Sequence, residues 1–422
     1  MLIISVLQLF ICTAIATQKH LYSPPQAPLI KAVQNDGIND HYIISLKKEL
    51  IKNRKALDKH ISFVSTVAKI SNLQQSTQFN KISQVYDSVF YGYSATLDYP
   101  TLNMLRYSKE IDFIEQDKAV ELHGVQTEST WGLNRISQED AVSEPYSYIY
   151  NPNGGKDVNV YVIDTGVNIN HDEFEGRASY GIAMPSGENN DDCIGHGTHV
   201  AGIIAGKVFG VAKKANIISV KVIKCDGTGM TSDFIGGINW AINDHVRRTN
   251  DDIRAGRVRT KSVGNISIGT TFSELLNRAV DVANYKGIFI INSAGNRNDN
   301  ACYYSPSASA LSIVVSSSEL NDTRTSSSNF GFCCNLHAPG ASIESASIGS
   351  NTATAVRSGT SVAAPFVTGI AAIIQSNSGF YPYSYADIKP IILENSTHSK
   401  VTNPRGTSNL MAYTIPHIKD YI

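Results

Sequence analysis

From Val158 onward the chain alternates short apolar runs with helix-period segments: VNVYVID, HGTHVAGIIAG, ANIISVKVI, SDFIGGINWAINDH, NISIG, SELLNRAVDVANYKG and IFIINSAG. Val- and Ile-rich runs with little polar alternation suit strands buried on both faces, and the intervening amphipathic stretches supply the crossovers that parallel strands require. The expected fold class is therefore α/β, a parallel sheet with helices on both faces. Such sheets place their ligands at the carboxyl ends of the strands, so candidate chemistry is sought there.

Ahead of this region lies a different pattern. A Pro-bearing linker, YSPPQAPLIKAVQNDGIND, precedes a unit from about His41 to Glu121. Its strand-like runs are HYIISLKK, VYDSVFYGYSATL and IDFIEQDKAVEL. One helix is expected through Leu50, Leu57, Ile61, Val64 and Ala68, and a second from TLNMLRYS. This is a small α+β domain without catalytic-looking residues of its own.

The first residues, MLIISVLQLFICTAIAT, form a short apolar run ending in Ala14-Ile15-Ala16, the pattern of a signal peptide over residues 1–16. No later run reaches the roughly 18 apolar residues that span a bilayer. The expected address is the secretory pathway, outside the cell or in a vacuolar lumen, with no membrane partner. A net charge of -1 gives no electrostatic reason to bind nucleic acid. Cys12 falls in the signal, which leaves Cys193, Cys225, Cys302, Cys333 and Cys334: two bridges and one thiol, with one of the adjacent pair bridged. Zinc ligation is disfavoured by the absence of any C-x-x-C pair.

Four polar residues stand where the sheet pattern places chemistry. Asp164 ends VNVYVID and is followed by Thr165-Gly166. Read as DTG it also fits half of an aspartic protease dyad, but no second copy occurs. His196 stands in GHGTHVAG, just ahead of an expected helix HVAGIIAG, and with His199 it lacks the i, i+4 spacing and intervening Glu of a zinc protease. Asn296 follows IFIINSAG. Ser361, in SGTSVAAPFVTG, reads locally as a helix N-cap with Pro365 in the first turn. The order Asp, His, Ser is that of the subtilisin triad.

With those residues in place, VYVIDTGVNINHDEFEGRA, GHGTHVAG, FGVAKKANI, SAGN, YYSPSAS and SGTSVAAPFVTG together resemble the proteinase K branch of the subtilisin-like serine proteases, fungal cerevisins included. The likeness runs from Trp131 to Ala412. It implies a serine endopeptidase in which Ser361 is the nucleophile, His196 the general base, Asp164 its orienting carboxylate and Asn296 an oxyanion donor. It also implies that a peptide substrate adds as a strand between Gly229 and Ser267-Ile268-Gly269. Thr270 stands where the family has glycine and narrows the pocket for the residue before the scissile bond. Val362 and Phe366 replace the family's Met and His behind the nucleophile. Glu319 stands at an acidic position used by relatives for structural calcium, without supporting a metal assignment, and no cofactor is expected for catalysis.

The resemblance further implies bridges Cys193–Cys225 and Cys302–Cys333. It makes the small domain an inhibitory propeptide (residues 17–123), cut by the enzyme itself near His123-Gly124 to free a peptidase over 124–422. Peptide and protein substrates and the chain's own propeptide are the expected partners, with the enzyme acting as a monomer. NDT at Asn321 and NST at Asn395 fit the glycosylation acceptor pattern. The rival reading is a pseudoprotease kept as a binding or wall-associated module, against which the complete set of four residues argues.

Overall fold

A computed structural model describes residues 26–31, 37–75, 80–118 and 124–414. The expected signal peptide and His123 lie outside them. The chain divides into two compact units near residue 120.

In the first unit, β1 (Leu29–Ile30), β2 (Gly37–Leu46), β3 (Lys81–Tyr86), β4 (Gly92–Thr96) and β5 (Ile111–Lys118) form one sheet in the order β1-β5-β2-β4-β3. Helices α1 (Arg54–Gln75) and α2 (Tyr99–Leu105) complete the unit. Leu57 and Val64 of α1 join Ile44, Tyr93, Leu102 and Ile114 in its core. The apolar period had extended this helix back to Leu50, but Leu50 precedes it and is 50% exposed. VYDSVFYGYSATL is two strands rather than one, paired antiparallel as β3 and β4.

The second unit contains β6 (Gly124–Thr127), α3 (Trp131–Ile136), β7 (Ser147–Tyr150), β8 (Val158–Asp164), β9 (Ala178–Ala183), α4 (His196–Ala205), β10 (Asn216–Lys221), α5 (Thr231–Arg254) and β11 (Lys261–Ile266). There follow β12 (Thr270–Thr271), α6 (Glu274–Tyr285), β13 (Ile288–Ser293), β14 (Tyr304–Ser305), β15 (Ile313–Ser318), β16 (Leu336–Pro339), β17 (Ile343–Ala346), β18 (Thr354–Arg357), α7 (Thr360–Ser376), α8 (Tyr385–Asn395), β19 (Thr397–His398) and β20 (Leu410–Met411).

Nine of these strands make the expected sheet, ordered β19-β20-β16-β15-β13-β11-β8-β10-β9, parallel throughout except for the β19–β20 pair. Alternation along β8 explains its two-sided cover. Val158, Val160 and Val162 face a core built with α4 and α7, whereas Tyr161 and Ile163 face one built with α5 and α6. Helix α7 is buried almost along its whole length, and each buried Val, Ile or Phe contributes about 1.5–3 kcal/mol relative to exposure. Strand β11 starts earlier than NISIG indicated, because buried Lys261 and Ser262 belong to it; the Lys261 amine donates to the carbonyls of Ser376 and Ser378. Ser267–Gly269 therefore lies just past its end.

The strand order turns at β8. From there the chain first builds outward through β9 and β10, then in the other direction through β11, β13 and β15. Such a switch point opens a crevice at the carboxyl ends of the strands, where Asp164 stands.

Candidate active site

Asp164 is fully buried at the end of β8. Its Oδ1 accepts from the Thr165 N–H at 2.8 Å and from His196 Nδ1 at 2.7 Å. That second bond assigns the Nδ1–H tautomer and leaves Nε2 as the acceptor. Asp164 Oδ2 has no partner among the described residues, an uncompensated buried polar atom of the kind that concentrates at functional sites. Burial works against charging the imidazole, but the Asp164 charge and hydrogen bond outweigh it, and the His196 pKa is raised above its ordinary 6.5.

His196 is the first residue of α4, so the helix begins three residues earlier than HVAGIIAG indicated. Gly197 allows the approach: a Cβ there would lie 2.1 Å from the Gly166 carbonyl oxygen. Asp192, 7% exposed and absent from the sequence expectation, holds this junction together. Its Oδ1 accepts from the Thr165 hydroxyl, Ile194 N and Gly195 N, and its Oδ2 from the backbone and hydroxyl of Thr198. Thr165 Oγ1 in turn accepts from Gly197 N at 2.9 Å. One carboxylate thus ties the loop after Asp164 to the start of the His196 helix. The signal for it was an acid just ahead of a helix N-terminus, a place where carboxylates satisfy free N–H groups.

The SGTS segment corrects the local reading of Ser361. Gly359, at φ +132°, is the N-cap, Ser361 is the second residue of α7, and Pro365 lies inside the helix. Pro365 has no N–H to offer the Ser361 carbonyl four residues earlier. Gly359 is required twice over, by its φ and because a Cβ would meet Asn296 Nδ2 at 2.9 Å. Asn296 Oδ1 accepts from Thr360 N at 2.8 Å and Thr360 Oγ1 at 3.0 Å, which fixes the amide so that Nδ2 flanks Gly359, with no acceptor for its hydrogens among the described residues. The Ser361 hydroxyl makes no hydrogen bond among the described residues, to His196 or otherwise; such bonds are often long before substrate arrives. A tether does join the two segments: Arg357 Nη2 donates to the Ile194 carbonyl at 3.1 Å.

Beside Asn296 is a cavity of about 190 Å³, walled by Ser267, Ile268, Gly269 and Thr270 on one side and by Ala294–Arg297 and Thr360 on another. Thr270 pairs with Ser305 in the β12–β14 ladder, so this wall is braced. Arg297 and Tyr304 also line it, the guanidinium 5.6 Å from the ring centre. Gly229 is exposed in the segment after β10.

Cys193 and Cys225 form a disulfide with Cα atoms 5.4 Å apart, linking the loop before His196 to the loop before Gly229. Cys302 and Cys333 form the other, 5.5 Å apart. Cys334 is a buried thiol whose pKa burial pushes up to about 11. Lys221, fully buried, donates to the Thr165 carbonyl at 2.8 Å and lies 3.7 Å from Glu188. Val362 and Phe366 are core residues, the Phe366 ring packing on Gly132. Among the described residues Glu319 belongs to no cluster of three His, Cys, Asp or Glu side chains.

Comparison with known proteins adds an independent line. Residues 155–412 match the family described as the subtilase family, and residues 41–123 match that described as peptidase inhibitor I9. The chain is 37% identical over 421 residues to the subtilase-type proteinase isp6 of the sexual differentiation process in Schizosaccharomyces pombe, covering 94% of this chain and 87% of that one. It is 36% identical over 418 residues to subtilisin-like protease 8 of Arthroderma benhamiae, covering 94% and 85%. A crystal structure of a cold adapted subtilisin-like serine proteinase superposes with a TM-score of 0.61 at 36% identity, covering 68% of this chain and 98% of the other.

Proposed function

The chain belongs to the subtilase family as a subtilisin-like serine protease with an I9 inhibitor domain, and on that premise we propose that Asp164, His196 and Ser361 form its catalytic triad, with Asn296 as oxyanion donor. The observation that carries this reading is the buried Asp164–His196 hydrogen bond at the switch point of the sheet. Ser361 Oγ attacks the scissile carbonyl while His196 Nε2 takes its proton. The same proton passes to the leaving amine, and water then releases the acyl group by the reverse sequence. Asn296 Nδ2 and the Ser361 N–H hold the negative oxygen at the N-terminal end of α7, where the helix dipole adds to them. The chemistry uses no cofactor.

Substrate binds as a strand between Gly229 and Ser267–Gly269, so main-chain pairing supplies affinity and the cavity selects the side chain before the bond. The I9 domain acts as the intramolecular inhibitor until the chain cuts itself near His123-Gly124. The route is secretory, beginning with the segment over residues 1–16. No helix among the described residues is long and apolar enough to cross a membrane.

A library of internally quenched peptides tests the reading on the processed protein. Endopeptidase cleavage is expected, with small and medium residues before the scissile bond favoured over Phe and Tyr, since overfilling a braced pocket costs on the order of 1–3 kcal/mol. Thr270→Gly broadens that range. A preference for large aromatics contradicts the role of Thr270, and absence of cleavage contradicts the assignment of the site.

A further inference from the structure

Arg357 ends β18, four residues before Ser361, and its charge has no local counterion: among the described residues no carboxylate lies within ion-pair distance of it. The contrast with Arg135 is direct, since that buried guanidinium holds Asp322 through two nitrogens, at 2.7 and 3.0 Å. Arg357 has a single hydrogen bond, from Nη2 to the Ile194 carbonyl, and its buried Nε meets no acceptor among the described residues. Neither carboxylate that acts on the catalytic His pairs with Arg357: Asp192 holds five donors, and Asp164 holds Thr165 and His196 through Oδ1 while its Oδ2 is buried. A half-buried guanidinium with unused donors in a fixed fork is suited to a carboxylate that arrives from outside.

Its position decides which part of a substrate it meets. The guanidinium lies against Gly195, next to His196, and its charge opposes protonation of that imidazole. The cavity for the residue before the scissile bond is walled by Ser267–Thr270, Asn296 and Thr360, and neither Arg357 nor His196 lines it. His196 delivers its proton to the leaving amine, so it faces the fragment that begins after the bond. A cation beside it faces the same fragment.

Building on the serine protease reading above, we propose that Arg357 is a specificity-determining residue that recognises an acidic side chain in the first two residues after the scissile bond. The substrate class is thus peptides with Asp or Glu just beyond the cut. The carboxylate supplies an acceptor for the guanidinium edge that is not buried, Nη1, and its charge is selected by attraction while Lys and Arg are rejected by repulsion at the same point.

The test uses the processed enzyme and internally quenched peptides identical up to the scissile bond, with Ala, Glu or Lys at the first or second position after it. The Glu-to-Lys ratio of kcat/KM is expected to be about tenfold at low ionic strength and to shrink as salt is added. Arg357→Gln brings the ratio to near one, and Arg357→Glu inverts it in favour of Lys, an outcome that a merely structural role does not produce. A ratio near one in the unmodified enzyme, or one unaffected by Arg357→Gln, overturns the proposal. The salt dependence of the unmodified enzyme decides the matter even if a variant folds poorly. Fluorophosphonate labelling of each protein separates the two levels: an unlabelled parent enzyme refutes the serine protease reading itself, whereas a labelled enzyme indifferent to charge refutes only the role of Arg357.

Discussion

Ser361→Ala is expected to leave the protein as one uncut chain, with the I9 domain still covalently attached and no reaction with a fluorophosphonate. On the proposed reading the first cut is the enzyme's own, since a chain that carries its own cleavage site presents it to the nucleophile at an effective concentration no second molecule reaches. Proximity makes that cut fast even for a sequence the mature enzyme disfavours. His196→Ala behaves in the same way, because the hydroxyl is a weak nucleophile without a base. Asn296→Ala removes one oxyanion donor and slows the cut by about 10² to 10³ without abolishing it. Electrophoresis of protein made without any other protease present reads all three. Separation of Ser361→Ala into two chains near residue 124 shows instead that another enzyme activates this one.

Asp164→Asn is expected to lower kcat by about 10⁴ while leaving the fold intact. The carboxylate Oδ1 now accepts from both Thr165 N and His196 Nδ1. An amide can turn an NH₂ toward the imidazole, which then offers Nδ1 as acceptor and carries its proton on Nε2, the wrong tautomer for receiving a proton from Ser361. The same change moves the pH profile. His196 must be neutral to act as base, so kcat/KM falls as pH drops through its pKa, and with that pKa raised the acidic limb has its midpoint above 6.5. Asp164 and Asp192 push the value up, while burial and Arg357 push it down. Without the Asp164 charge the limb of the residual activity shifts toward lower pH. A limb that stays in place in Asp164→Asn removes Asp164 from its role beside the base.

The sheet was legible because its strands are buried on both faces, and a strand such as VNVYVID has few other places to go. Asp164 and His196 were legible for a related reason: each sits at an element boundary that the apolar pattern itself marks. Ser361 was placed in the right segment but in the wrong local role, because serine is a good cap and the left-handed backbone of Gly359 is a property of the folded chain. Leu50 continued the period of α1 although the helix starts at Arg54, since periodicity alone carries no stop signal. Asp192 and Arg357 were the least legible. Neither belongs to a pattern of neighbours, and the partners that give each meaning, Thr165 for one and the Ile194 carbonyl for the other, lie 27 and 163 positions away.

The central claim is that Ser361 is the activated nucleophile. Reaction of the processed protein with a fluorophosphonate, followed by peptide mapping of the adduct, tests it most directly. One adduct on Ser361 is predicted, formed in step with loss of peptidase activity and faster as pH rises through the His196 pKa. An adduct on a different residue, or peptidase activity that survives full modification of Ser361, contradicts it.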